Sequence, residues 1–300
     1  MRRHSSSPLL PSLAIALNAL IWGLSWWPLH QLQARGLHPL WATVLMYSVP
    51  VLAMLLWRRW PLKLLLERAD LWWLMLAAGL TNTCFNWAVT VGDVIRVVIL
   101  FYLMPVWAVL LSWWWLGERP TLMAAVRVVV ALAGVTLVMQ PEGTNWADWR
   151  FPWPSSLADV LALLGGLFFA ATNVLLNRTA DTPPESRVYA MFIGGIVLGT
   201  ATAATALATG QLGVTLLPPL AFGWIALVVV FSMGFVISNT ALQYGSARLS
   251  AHTMSLIMLL EVLFAAVSAA AMGTAQLTMQ VFVGGALVMS AALMAAISSH

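Results

Sequence analysis

Apolar residues gather into ten blocks along the chain, at about 10–32, 39–57, 70–91, 95–116, 121–140, 157–177, 187–209, 219–243, 249–272 and 277–297. A helix needs about 20 such residues to cross the hydrocarbon core of a bilayer. The pattern predicts an all-α integral membrane protein with ten transmembrane helices. Polar residues fall mostly in short loops, which leave no room for a soluble catalytic domain. The longest interruption, 141–156, contains prolines and Gly143, which break helices, and Trp146, Trp149 and Trp153, suited to the headgroup layer. It reads as an external linker.

Polar residues inside the blocks carry a second pattern. Thr81-Asn82-Thr83-Cys84-Phe85-Asn86-Trp87 returns 157 positions later as Ser238-Asn239-Thr240-Ala241-Leu242-Gln243-Tyr244. At the same offset Pro105 aligns with Val262, Thr121-Leu122 with Thr278-Met279, and Ala133-Gly134 with Ser290-Ala291. The earlier blocks align at a smaller offset, with Trp22-Gly23-Leu24-Ser25 near Phe168-Phe169-Ala170-Ala171. Five spans per half is an odd number, so the second half enters the membrane in the opposite sense. The expected organisation is a cytoplasmic tail (1–9), a first five-helix repeat (10–140), the linker (141–156) and a second, inverted repeat (157–300). Secondary transporters built this way place their sites near the midplane, between the repeats.

Composition sharpens this reading. Hydrophobic residues make up 61% of the 300 and charged residues 8%, with a mean hydropathy of +0.89. Soluble domains carry about 25% charged residues. Of the fourteen Lys and Arg, eleven fall on the side of the N-terminus: Arg2, Arg3, Arg58, Arg59, Lys63, Arg68, Arg119, Arg127, Arg178, Arg187 and Arg248. Arg35, Arg96 and Arg150 fall on the other. The positive-inside rule then puts both termini in the cytoplasm. Arg2-Arg3 before an apolar stretch resembles a leader, but no A-x-A-like site follows, so the segment is expected to stay as the first helix. The net charge of +4 gives no reason to invoke nucleic acid. The single cysteine, Cys84, excludes an intrachain disulfide.

The candidate chemistry is sparse. Asn82 and Asn86 are four residues apart, as are Asn239 and Gln243, so each pair shares a helix face. Lipid cannot satisfy amides, so both faces are expected to look inward and line a substrate cavity, the alternative being bonds that hold the bundle together. Asn173 in the sixth block joins them as a candidate. Trp22, Trp87, Tyr102 and Tyr244 lie far from the interfacial tryptophans and suit an aromatic pocket for a small organic molecule, or simply packing. Glu261 is the one carboxylate deep in a block. Such an acid takes up a proton, holds a substrate ammonium, or is tied to a neighbouring helix. Pro105 removes a backbone donor in the fourth span and is either a gating hinge or a static bend. Asp93 and Arg96 read as a local salt bridge or a gate latch, and His30 as a solvated boundary histidine. No H-E-x-x-H, G-x-S-x-G or Walker loop occurs, nor clustered metal ligands, so no enzyme, metal or cofactor is expected.

Trp22-Gly23-Leu24-Ser25-Trp26, Leu103-Met104-Pro105-Val106, Leu116-Gly117-Glu118-Arg119-Pro120-Thr121 and Gly134-Val135 carry a resemblance to the EamA branch of the drug/metabolite transporter superfamily. Ala247-Arg248-Leu249-Ser250-Ala251-His252-Thr253 and Leu260-Glu261-Val262 resemble YddG-type amino-acid exporters. Met272-Gly273-Thr274 replaces Leu-Gly-Glu in the second copy, and no proline follows Glu261. The resemblance implies a multi-pass carrier of the plasma (bacterial inner) membrane that exports amino acids or similar metabolites by alternating access. Its partners would be that substrate and the lipid bilayer, and a monomer would suffice. A cationic drug exporter with Glu261 as counter-ion, a channel and a non-transporting scaffold are the alternatives. Phosphorylated cargo is disfavoured, since Arg96, Arg127 and Arg248 sit at span ends.

Overall fold

The computed structural model describes residues 9–57, 60–116, 121–140, 153–179, 181–210, 213–246, 248–249 and 251–297. The N-terminal tail, most of the linker and the Gly117–Pro120 part of the family motif lie outside these residues. The described chain forms helices only: α1 (Leu9–Gly23), α2 (Trp26–Ala34), α3 (Pro39–Trp57), α4 (Trp60–Glu67), α5 (Ala69–Val91), α6 (Val94–Phe101) and α7 (Met104–Leu116). There follow α8 (Leu122–Met139), α9 (Leu157–Arg178), α10 (Pro184–Thr209), α11 (Phe222–Ser246), α12 (Ala251–Met258), α13 (Leu260–Ala271) and α14 (Met279–Ile297). Local chemistry sets several ends. The Asp93 carboxylate accepts from Arg96 N at 2.8 Å and caps α6, and Thr121 Oγ1 accepts from Ala124 N at 3.2 Å and caps α8. Such caps satisfy amides that have no partner in the first turn. Gly210, at φ 65°, ends α10 in the left-handed region that glycine adopts freely.

Eight segments of the described chain are long and apolar enough to span a membrane, counting α1 with α2 and α6 with α7 as one each. The ninth and tenth expected spans correspond to shorter apolar helices. One is divided into α12 and α13 at Leu259, and the other is α14, apolar over Met279–Met294. Elements recur in register: α6 and α12 are 157 residues apart at both ends, and α8 and α14 start 157 residues apart.

The bundle centres on α5, which packs most extensively on α9 and α10. Gly79 and Gly194 let the α5 and α10 backbones touch, since a Cβ on either would strike the other helix's main chain. Small residues at such crossings are how spans approach closely without a hydrophobic driving force between them. Gly195 accommodates the Tyr47 ring and Gly199 the Val44 side chain, joining α10 to α3, so the Gly195-x-x-x-Gly199 spacing packs within the chain. Further principal contacts are α8 on α14, α1 on α11, α13 and α12, α9 on α6 and α7, and α3 on α11.

Candidate functional site

Three apolar segments are interrupted in mid-run: at Leu24–Ser25 between α1 and α2, at Tyr102–Leu103 between α6 and α7, and at Leu259 between α12 and α13. Each interruption is a tightened turn. Ser25 N donates to Trp22 O at 3.0 Å, Leu103 N to Leu100 O at 3.2 Å, and Val262 N to Leu259 O at 3.2 Å, all three-residue spacings. Pro105 is the second residue of α7, and its missing N–H accounts for part of the second interruption. It is not the whole cause. The third interruption falls 157 residues on from the Tyr102 turn, where Val262 stands in place of the proline.

The three interruptions converge. Gly23, the last residue of α1, lies against the turn at α13, where a Cβ would sit 2.7 Å from both Glu261 O and Phe264 Cβ. Tyr102, capping α6, places its hydroxyl 3.1 Å from Glu261 Oε2 and 3.3 Å from Met258 O, so its one proton bridges the second and third interruptions. Glu261 is 8% exposed and occupies the first turn of α13, where the positive end of the helix favours a carboxylate. No cation among the described residues pairs with it. Trp26 Nε1 adds a bond to Ser268 Oγ at 3.0 Å, tying α2 to α13.

Trp22 stands beside this junction, between two helices related by the 157-residue offset. Its ring meets Phe235 of α11 at 4.5 Å between centroids and Phe85 of α5 at 6.5 Å, both edge-on. The layer continues from Phe85 to Phe101 at 4.7 Å and Phe169 at 5.4 Å, and from Phe235 to Tyr47 at 5.8 Å. Sequence gave no way to single out these phenylalanines or Tyr47, because an aromatic in an apolar run carries no periodic signal of its own.

The repeated motif is not used alike in its two copies. Asn86 is fully buried and donates to Thr43 Oγ1 on α3 at 3.1 Å. Asn82 is half-buried and makes no hydrogen bond among the described residues. Asn239 is half-buried and turns its amide to Phe235 O in its own helix, at 3.1 Å. Gln243 and Asn173 are exposed. Trp87 is buried against the His38 ring at 5.5 Å, and half-buried Tyr244 lies beneath the Arg248 guanidinium, 4.0 Å from the ring centroid. Thus Tyr102 and Glu261 come together, with Pro105 one turn from Tyr102 and Trp22 next to Gly23 at the same crossing, while Asn173, Gln243 and Tyr244 are not seen to join them.

The residues of the motif that bind across helices in both copies are its first ones. Asn18 Nδ2 donates to Ser238 Oγ at 2.6 Å and to Ser238 O at 3.1 Å, linking α1 to α11. Thr81 Oγ1 lies 3.4 Å from Thr172 Oγ1, linking α5 to α9. The signal was the hydroxyl retained at position one of both copies, overshadowed by the amides.

The ion pairs among the described residues lie near helix ends. Arg96 does not pair with Asp93, whose carboxylate caps α6 instead. Its guanidinium crosses to α9 and grips Asp159 through Nε at 2.7 Å and Nη2 at 3.0 Å, while Nη1 donates to Val138 O of α8 at 2.8 Å. Ser155 N and Oγ complete the Asp159 shell at 3.1 and 3.2 Å. At the other end of α5, Arg68 pairs with Asp70 and, at 2.7 Å, with Asp181 ahead of α10. The hydrogen bond from Arg68 holds the Asp181 carboxyl below the usual carboxylate range. His30 is not simply solvated: Nε2 lies 2.9 Å from Val89 O, a bond that sets Nε2 as the protonated nitrogen.

Residues 9–140 match the EamA-like transporter family. The match spans fewer than half of the residues and stops at the end of α8. No curated protein matches the chain. Among solved structures, one described only as a crystal structure of a protein is similar over 95% of this chain and 96% of its own, with a TM-score of 0.53 at 17% identity. At that identity the likeness extends to the fold alone, and it covers both halves.

Proposed function

We propose that the chain is a secondary carrier that exports small organic metabolites, amino acids foremost, by alternating access rather than by any enzymatic step. In this reading it has ten spans, with α12–α13 and α14 as the last two, and both termini in the cytoplasm of a bacterial cell. The spans form two inverted repeats, 10–140 and 157–300, around a shared pathway. The packing supports the repeats, because its largest contacts map onto one another when the halves are exchanged. The α5–α9 contact maps onto α11–α1, α10–α5 onto α3–α11, and α6 and α7 on α9 onto α12 and α13 on α1. The α8–α14 and α3–α10 contacts map onto themselves. The observation that carries the proposal is the meeting of three interrupted helices at Tyr102 and Glu261, beside Trp22. Carriers of this architecture use discontinuous helices near the midplane to present helix ends and freed backbone groups to substrate.

Asn82 and Asn239 are half-buried amides not tied to another helix, and in this reading they face the pathway, with Trp22 as its aromatic wall. Counterflow of labelled amino acids in proteoliposomes tests the carrier: saturable exchange is expected, and its absence across a broad amino-acid panel counts against it. A second reading, export of organic cations, is favoured by the lack of a cationic partner at Glu261. Inhibition by quaternary ammonium ions but not by leucine-like amino acids selects that reading. Loss of both activities in Glu261→Gln is compatible with either.

A further inference from the structure

The geometry points to a binding site for an anionic phospholipid at the membrane end where α7 stops and α8 begins, with its phosphate on Arg127 and an acyl chain in a groove between α7 and α9. Arg127 lies in the second turn of α8, three residues after buried Ala124 and four before buried Ala131, so it sits on the protein-facing stripe of the helix. It is half-buried, its Nε is enclosed without a hydrogen-bond partner, and no carboxylate among the described residues pairs with it. A guanidinium stays charged at any physiological pH. Within a membrane-spanning helix it therefore needs an anion, and the bilayer supplies phosphates at that depth.

A second observation gives the anion an apolar tail. α7 packs on α8 and ends at Leu116, close to where α8 begins, so the last turn of α7 and Arg127 share one end of the bundle. A groove of about 640 Å3 runs along α7, lined by Trp107, Leu110, Leu111, Trp113 and Trp114 of α7 and Leu167 of α9. Among the lining side chains, Trp107 Nε1 is enclosed without a hydrogen-bond partner. Nine residues separate Trp107 from the end of α7, so it lies roughly 13 Å in, deeper than Arg127 at roughly 8 Å. The arrangement asks for a molecule with an anion near the surface, acceptor oxygens below it and a hydrocarbon chain beyond. A phospholipid with net negative charge fits; a free phosphate leaves the groove empty. The basic excess assigns this end to the cytoplasmic leaflet, where anionic lipids give a negative surface potential.

Native mass spectrometry of the full chain in non-ionic detergent tests the site. The probes are phosphatidylglycerol, phosphatidylcholine with matching chains, and glycerol 3-phosphate. Phosphatidylglycerol is expected to be retained over phosphatidylcholine, and Arg127→Gln to weaken that retention about fivefold, the weight of one basic residue at an anionic surface. Leu111→Trp, which fills the groove and keeps the charge, is expected to reduce retention of both lipids. If Arg127→Gln does not yield folded protein, Arg127→Lys takes its place and is expected to weaken phosphatidylglycerol by losing the bidentate fork. Undiminished phosphatidylglycerol retention in the Arg127 variants, or in Leu111→Trp, overturns the proposal. So does displacement of phosphatidylglycerol by glycerol 3-phosphate, which identifies a free-anion site. The readout is lipid retention, so it stands or falls independently of transport.

Discussion

Helices α5 and α11 carry the two copies of one motif, yet they live in different surroundings. The apolar window of α5 is 72% buried, that of α11 only 28%. α5 is wedged between α9 and α10, where Gly79 meets the Gly194 backbone. α11 leans on α1 and α3, and its Gly234 has nothing nearer to an added Cβ than Ile21 at 3.9 Å. A shared sequence plan therefore does not give shared roles. In α5 the second amide of the motif, Asn86, is a clamp; its mate in α11, Gln243, is exposed.

The contrast can be broken most severely at the ion pair that anchors the α5–α6 end. Arg96 and Asp159 have side chains 24% and 2% exposed, whereas the position matching Arg96 beside α11 is Thr253. Asp159→Asn leaves the guanidinium without its counter-charge and is expected to cost about 3 kcal/mol, the lower end for a broken buried pair. Thermal unfolding in detergent should show this loss. Next comes packing. Gly79→Leu is expected to lower stability by about 2 kcal/mol or to abolish folded yield, because backbone faces the added side chain. Gly234→Ala should be neutral or gain up to about 1 kcal/mol from helix propensity. Equal losses at the two glycines would remove the distinction between the helices.

Amide substitutions sharpen the comparison at a smaller scale. Asn86→Ala is expected to cost about 1 kcal/mol, a typical interhelical bond in a membrane. Asn82→Ala and Asn239→Ala are expected to leave yield near wild type while slowing counterflow about tenfold, equivalent to about 1.4 kcal/mol of barrier. If they reduce folded yield alone, the amides are structural. The smallest effect belongs to the tie before α5. Because the folded pKa of Asp181 is lowered, the Arg68–Asp181 contribution is complete above the ordinary carboxylate value and fades as pH falls through the folded one. Acid titration of wild type against Asp181→Asn is expected to show no difference in pH dependence above pH of about 5, and divergence only below about 4.

Much of the fold was legible because a bilayer accepts few alternatives. Long apolar runs predicted helix positions to within a few residues for α3, α5 and α8 through α11, whereas α4, at Trp60–Glu67, falls between two predicted blocks. The interruptions were harder to see. Pro105 marked one, but Leu259 sits in an unbroken apolar run, and an interruption there depends on packing against α1 and α6. The paired asparagines drew attention through their cost in lipid, yet cost alone does not say which partner meets it: Thr43 for Asn86, its own helix for Asn239. Asp93 and Arg96 looked like a pair because spacing reports proximity along one helix. The actual partner of Arg96 lies 63 residues away, in α9.

The embedding of α5 has a consequence for how the protein is made. Its two largest partners, α9 and α10, belong to the second half, and so does Asp159, which neutralises Arg96. As the chain leaves the ribosome, α5 and α6 enter the membrane before any of these exist. The first five spans thus form a provisional assembly, with the α5 face around Gly79 uncovered and the Arg96 guanidinium without Asp159. Synthesis through Thr209 supplies α9 and α10, which cover that face of α5 and bring Asp159 to the cation, while α8 and α1 still await α14 and α11.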